Sequence, residues 1–459
     1  MDDLPEEIVV KILSCLSPYR DFSAARLVCQ KWHRVINTII KSLKRELQNA
    51  VQNGDLAYTK LDFAAARPAR LVRGRERELA ISTSRSHRRT NFSGAYEPSP
   101  RFSHNACIAG GFLYVFGGCS LSSSSSNSTF NDLHQFDLVK KSWQRITVNR
   151  GYMPAPRECA SMVAYDGKLV IFGGWCSPRS TEVTGVPKFF NDAAIVDIGQ
   201  RSCQEIKVLD RQVPGTRAGH GACVLKDKMV VFGGAQRILR YDDVWFLDMS
   251  SLLWYCPSIN GEKPNGRFGH SQFPAGESHV LVIGGCGGSN TLFDDAWLLN
   301  THSWQWTQIK TENKIWQPPD IWCHPLAKIG EIIVTFSDQT VCNTCIGWHG
   351  NPLQSSLFDG PVPVPSVTCS QCKENKVKKQ NYDSHFQLYV LDISNVIKTA
   401  TATWTSKPSF VPQSVSRSRS LFTITGGRAE LFIFGGVFNM EKLKINNCPP
   451  TGLIMVKAK

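Results

Sequence analysis

Tyr114-Val115-Phe116-Gly117-Gly118 is a strand-like apolar run that ends in paired glycines, and the chain repeats it. Val170-Ile171-Phe172-Gly173-Gly174, Val230-Val231-Phe232-Gly233-Gly234, Val282-Ile283-Gly284-Gly285 and Phe432-Ile433-Phe434-Gly435-Gly436 follow. The first glycines of these runs are 56, 60, 51 and 151 residues apart. The longest step holds a degenerate copy, in which Glu331-Ile332-Ile333-Val334-Thr335-Phe336 supplies the strand and Ser337-Asp338 replace the glycines. Six units at this period, each closing a strand on glycine, predict a mostly β propeller of four-stranded blades around a channel.

A second regularity is coupled to the first. Asp132/Asp137/Trp143, Asp192/Asp197/Cys203, Asp243/Asp248/Trp254 and Asp295/Asn300/Trp306 share one spacing. A fixed offset across two strands means a hairpin of constant length, with the large side chain packed on the neighbouring blade. Cys203 breaks the pattern and predicts a looser contact. Together the glycine pairs and this hairpin pattern resemble Kelch repeats over about 360 residues, numbers 98–459. The resemblance implies a six-bladed Kelch β-propeller.

Loop lengths locate recognition. From the second glycine to the acidic residue the distances are 14, 18, 9 and 10, and in the fifth unit the same loop grows to about fifty residues. Variable loops on a rigid face are the usual place for binding. Arg101, Arg157, Arg217 and Arg267 begin successive first strands on that face and are substrate-face candidates. Bracing the blade is the competing role for residues that recur in every unit. His104, His220, His270 and His324 recur three residues further on, or at the fifth-unit equivalent, and read as structural.

The amino-terminal fifty residues follow a helical period instead. Leu4, Ile8, Ile12 and Leu16 recur every four residues with Val9 and Leu13 beside them, and Pro5, Glu6 and Glu7 suit a helix start. Ser17-Pro18 ends that helix, and Leu27, Val28, Trp32, Val35, Ile36, Ile39, Leu43 and Leu47 form a second periodic run. So short a segment cannot bury this apolar surface alone, and a partner surface is expected. The pattern LPEEI-x3-IL-x2-L, then Asp21-Phe22 and LVCQKW ending at Trp32, resembles the F-box, although Phe22 stands where that family more often has Leu. The resemblance implies a small all-α hook for the Skp adaptor of cullin–RING ubiquitin ligases. It places Leu4, Pro5, Ile8, Ile12, Leu16, Leu27, Val28 and Trp32 among the adaptor-facing or hook-core residues.

Composition narrows the class. The chain has 459 residues, 42% hydrophobic and 20% charged, enough for roughly two to four ordinary domains of 100–200 residues. No apolar run approaches the roughly 18 residues of a membrane helix, and the acidic start excludes a secretory signal, so an intracellular protein, cytoplasmic or nuclear, is expected. The net charge is +14, but residues 41–90 carry twelve Lys/Arg against five Asp/Glu. That concentration reads as a basic helical linker over 49–97 rather than a nucleic-acid-binding domain, with neither nucleic acid nor membrane as a partner. Arg85-Ser86-His87-Arg88-Arg89 within it reads first as a solvated helix face and second as a nuclear address.

Twelve of the sixteen cysteines are scattered singly, as small buried hydrophobes would be. The other four are Cys342-Asn-Thr-Cys345 and Cys369-Ser-Gln-Cys372, in an insertion at about 338–380. Two C-x2-C pairs can present four thiolates to one structural zinc, which would staple a long proline-containing loop. His349 is a substitute ligand and redox pairing the competing use.

The expected domains are therefore an F-box at 1–48, the linker at 49–97 and the propeller at 98–459. With only 23 residues after Gly436, the sixth unit is short of strands, and residues near 80–97 are expected to supply one. No serine elbow, phosphate-cradling glycine loop or HExxH is present, so no catalytic residue is expected. An F-box joined to a Kelch propeller resembles the substrate adaptors of SCF (Skp–cullin–F-box) ubiquitin ligases, with a protein substrate on the propeller. A Kelch scaffold or cytoskeletal binder whose F-box serves only its own turnover is the alternative.

Overall fold

The computed structural model describes residues 4–61, 96–120, 128–176, 187–206, 212–288, 291–318, 325–338, 386–412, 419–438 and 452–459. Three helices open the chain: α1 (Glu6–Ser14), α2 (Phe22–Ala25) and α3 (Gln30–Asn53). Their apolar stripes close on each other, burying Val9 and Leu13 of α1, Phe22 and Ala25 of α2, and Val35, Ile36 and Ile39 of α3. Gly54 stops α3 in the left-handed conformation at φ 78°, a position that costs a residue with a Cβ. The chain then turns into strand β1 (Leu56–Leu61).

Among the described residues, the remainder forms six four-stranded blades. Blade 1 runs from the axis outwards through Asn105–Ala109, Phe112–Phe116, Leu133–Asp137 and Ser142–Ile146, all antiparallel. Blades 2 to 5 repeat this order from inner strands Ser161–Tyr165, Gly221–Leu225, Ser271–Ala275 and Leu326–Ile329. Outer strands of blades 4 and 5 also pair with each other in parallel, Lys310 opposite Thr401.

Blade 6 closes the ring with both parts of the chain. Its inner strands are Thr423–Gly426 and Glu430–Phe434, its third is Leu453–Ala458, and its outermost is β1, with Leu56 opposite Ala458 and Leu61 opposite Leu453. This corrects the expectation of a helical linker over 49–97: within it, 56–61 is a strand, and that strand rather than 80–97 completes the sixth blade.

Adjacent blades are fastened by aromatic packing. Trp143 lies 5.1 Å from Phe434, Trp254 4.9 Å from Phe172 and Trp306 5.1 Å from Phe232, each ring set against the blade before it. The looser contact expected at Cys203 does not occur. Cys203 is buried, and the preceding connection fills the space of the missing ring, with the Cys203 N–H donating to the Arg150 carbonyl at 2.9 Å. A Cβ on Gly151 would lie 1.8 Å from the Cys203 oxygen, so the tuck requires glycine there.

Candidate substrate face and adaptor hook

Strand alternation gives the propeller two unlike faces. Second-to-third-strand loops and blade-to-blade connections gather on one, the loop face; tight turns after the first and third strands gather on the other, the turn face. The hook lies on the turn face. Leu47, Ala50 and Val51 of α3 join one core with Ile329, Ile332, Ile454 and Val456 of blades 5 and 6. Gln48 accepts the Glu331 N–H at 3.3 Å, and the Tyr19 hydroxyl donates to Glu430 at 2.5 Å while accepting the Arg428 N–H at 2.7 Å. Burial and the Glu430 charge both push the Tyr19 phenol far above its ordinary value, so it stays a donor. The helices are thus mortised to blades 1, 5 and 6, and the loop face is left clear of them.

The eight residues assigned to the hook separate by exposure. Leu4, Leu16 and Trp32 pack half-buried against the hook core. Ile8 and Ile12 are 40% and 42% exposed, Leu27 and Val28 are 86% and 60% exposed, and Pro5 is exposed at the start of α1. An apolar side chain left in water forfeits about 1.5–3 kcal/mol of burial, so four on one small hook mark a surface to be covered.

The four arginines do not face a partner, which corrects their place as substrate-face candidates. Arg101, Arg157, Arg217 and Arg267 are at most 2% exposed. Each guanidinium forks onto a carboxylate: Arg101 to Asp132 (2.7 and 3.1 Å), Arg157 to Asp192 (2.8 and 2.9 Å), Arg217 to Asp243 (2.7 and 2.9 Å) and Arg267 to Asp295 (2.5 and 3.0 Å). The same group donates to the carbonyl of the first paired glycine, at 2.9–3.0 Å, and its Nε to the carbonyl two residues back. An aromatic ring covers it at 4.1–4.4 Å: Phe130, Phe190, Tyr241 or Phe293. Burial alone would raise Asp132 and Asp243, but hydrogen bonds from the arginine and its neighbours hold both below the usual carboxylate range. Every guanidinium nitrogen donates within its own blade, and the role is bracing.

The glycine pairs belong to this brace. Gly117 and Gly118 are left-handed at φ 65° and 85°, and a Cβ on either would lie 2.6 Å from a carbonyl oxygen, of Arg157 or of Phe102. The histidines tie blade to blade. The Nε2 of His104 meets the Thr423 hydroxyl at 2.9 Å, that of His220 meets the Ser161 hydroxyl at 2.8 Å, and that of His270 accepts the Gly221 N–H at 3.1 Å. Burial pushes His104 and His270 down to about 3, with the charge of the adjacent arginine adding to it, so both stay neutral. His324 lies outside the described residues.

One loop-face residue escaped sequence reading. Glu158 stands where the other blades carry Phe102, Ala218 and Phe268, buried, accepting the Cys119 thiol at 2.9 Å, and burial raises its carboxyl to about 7. Its signal was its departure from the other units at one register position.

The loop face itself presents short two-stranded ribbons and exposed apolar residues. Ile238 and Leu239 cap the ribbon Ala235–Gln236/Leu239–Arg240, while Tyr152 and Ile315 stand on blade-to-blade connections. The four cysteines Cys342, Cys345, Cys369 and Cys372 lie outside the described residues. Among the described residues no cluster of three His, Cys, Asp or Glu could hold a metal, and no helix is long and apolar enough to cross a membrane.

Residues 101–337, just over half of the chain, match the family described as "FBX42, beta-propeller domain". The chain belongs to that family. The FBX42-type match begins at the first bracing arginine and ends in the second strand of blade 5, and residues 1–45 match the F-box-like family. Curated relatives match part of this chain at modest identity. Kelch domain-containing protein 1 of Mus musculus is 28% identical over 56% of this chain and 68% of its own length, and that of Homo sapiens 29% over 46% and 56%. Host cell factor 1 of Homo sapiens is 30% identical over 39% of this chain, which spans only 9% of that protein.

Proposed function

We propose that this chain is a substrate-recognition subunit of an Skp–cullin–F-box ubiquitin ligase. The hook docks on the Skp adaptor and through it on the cullin, and the loop face of the propeller holds a protein substrate for ubiquitination. The observation that carries this reading is the exposed set Ile8, Ile12, Leu27 and Val28 on a hook whose other side is fastened to the propeller. Tethering brings substrate lysines to an effective concentration of about millimolar order beside the conjugating enzyme. Chemistry then belongs to that enzyme, and this chain works as a non-catalytic adaptor in the cytoplasm or nucleus. The exposed loop-face residues Tyr152, Ile238, Leu239 and Ile315 are the apolar contacts open to the substrate.

The test is affinity purification of the wild type and an Ile8→Asp/Leu27→Asp variant from proteasome-inhibited cells. Both side chains are exposed, so the variant melts like the wild type. It loses Skp and cullin and keeps proteins held by the propeller. Full retention of Skp by the folded variant refutes the proposal.

A structural zinc on Cys342, Cys345, Cys369 and Cys372 remains part of this reading, supported by the spacing of the two C-x2-C pairs. Metal analysis of the purified chain should give one zinc per chain, lost in a Cys342→Ser/Cys369→Ser variant. An unchanged metal content in that variant removes the assignment.

A further inference from the structure

Between hook and propeller lies a cleft of about 300 Å3. Arg26 follows α2, Lys44 comes from α3 and Arg428 from the first turn of blade 6; all three line it, beside the bare backbone of Gly110 and Gly427. None of the three forms an ion pair among the described residues. Arg26 is held through one end by Asn37, while its Nε and the Nη1 of Arg428 are buried with no hydrogen-bond partner. Burial pushes Arg428 below its ordinary value and the Arg26 charge adds to it, against an opposing pull from Tyr19 and Glu430. The acid beside them, Glu430, commits one carboxylate oxygen to the Tyr19 hydroxyl and the Ala429 N–H.

Two buried, unpaired guanidinium donors cost about 1–3 kcal/mol each, and native proteins pair nearly all such groups. Water would satisfy a donor but would leave two guanidinium groups and an ammonium facing one cavity. An oxyanion answers both deficits, because guanidinium forks match its oxygens and its charge relieves the repulsion. The volume lies at the small end of ligand sites, which sets the size of the occupant.

We infer that this cleft is a binding site for a phosphate-type oxyanion, free phosphate or a small phosphate ester, held by Arg26 and Lys44 from the hook and Arg428 from the propeller. Such a ligand ties the two parts together and stabilises only the folded joint, so the melting temperature reads its occupancy.

The experiment is thermal unfolding of the full chain against inorganic phosphate, pyrophosphate and glycerol phosphate, with chloride at matched ionic strength as reference. The expected result is a saturable rise of several degrees with at least one of the three; the most effective anion separates free phosphate from an ester. Lys44→Gln, at an exposed position, should melt like the wild type without ligand and need about five-fold more anion for the half-maximal shift. Arg428→Gln should abolish the shift, and if that variant fails to fold, Lys44→Gln carries the test. A rise no larger than that in chloride, or equal half-maximal concentrations in wild type and Lys44→Gln, overturns the site.

Discussion

Arg217 shows how one side chain can hold a blade. Its fork on Asp243, its bond to the Gly233 carbonyl and its stack on Tyr241 join the start of the inner strand to the end of the second and the start of the third. Arg217→Ala leaves the Asp243 carboxylate in a part-buried site without its cation. The expected loss is about 3–5 kcal/mol in urea denaturation. Arg217→Lys keeps the charge but not the fork or the stack and should fall between. A wild-type midpoint for Arg217→Ala would contradict the brace. The sequence placed these arginines on the correct face at the correct register but did not reveal where they point. Their partners lie 31, 35, 26 and 28 residues away, because the variable loop intervenes, and no fixed spacing betrays the pairing. The hook residues were more legible, since a four-residue period marks an apolar stripe directly. Which member of the stripe faces outward depended on how α1 lies against α3, and that packing put Val9 and Leu13 inside.

At the scale of elements, the hairpins were readable because their offset is constant, and the degenerate fifth unit because its strand survives without its glycines. β1 was not. Leu56-Ala57-Tyr58-Thr59-Lys60-Leu61 follows a helix inside a basic stretch, and its pairing partner lies about 400 residues away, beyond any local pattern. Gly54 was the available sign, a left-handed stop that ends the helix before the strand. A chain begun at residue 98, where the repeat pattern starts, leaves Leu453–Ala458 as an open sheet edge and exposes the core under Leu47 and Val51. It should aggregate or melt far below the full chain in scanning calorimetry. A soluble monomer with an unchanged melting temperature would show that β1 and α3 add nothing to the ring. For the same reason, point substitutions on α1 test the hook more cleanly than its deletion does.

Across the whole molecule, the hook and the loop face look in opposite directions from a rigid wheel. α3 is common to both parts: its first half carries the hook core and its last two turns lie in the propeller core. A body held by the hook therefore sits at a fixed bearing from one held by the loops, with no hinge between. The closure of blade 6 also sets an order of events during synthesis. β1 leaves the ribosome early and must wait for Leu453–Ala458, which at about 5–20 residues per second takes about 20–80 s. Through that interval the nascent protein carries a finished hook beside an unlatched ring. A premature stop between β1 and Leu453 would therefore release a hook whose wheel lacks the buckle that keeps it shut.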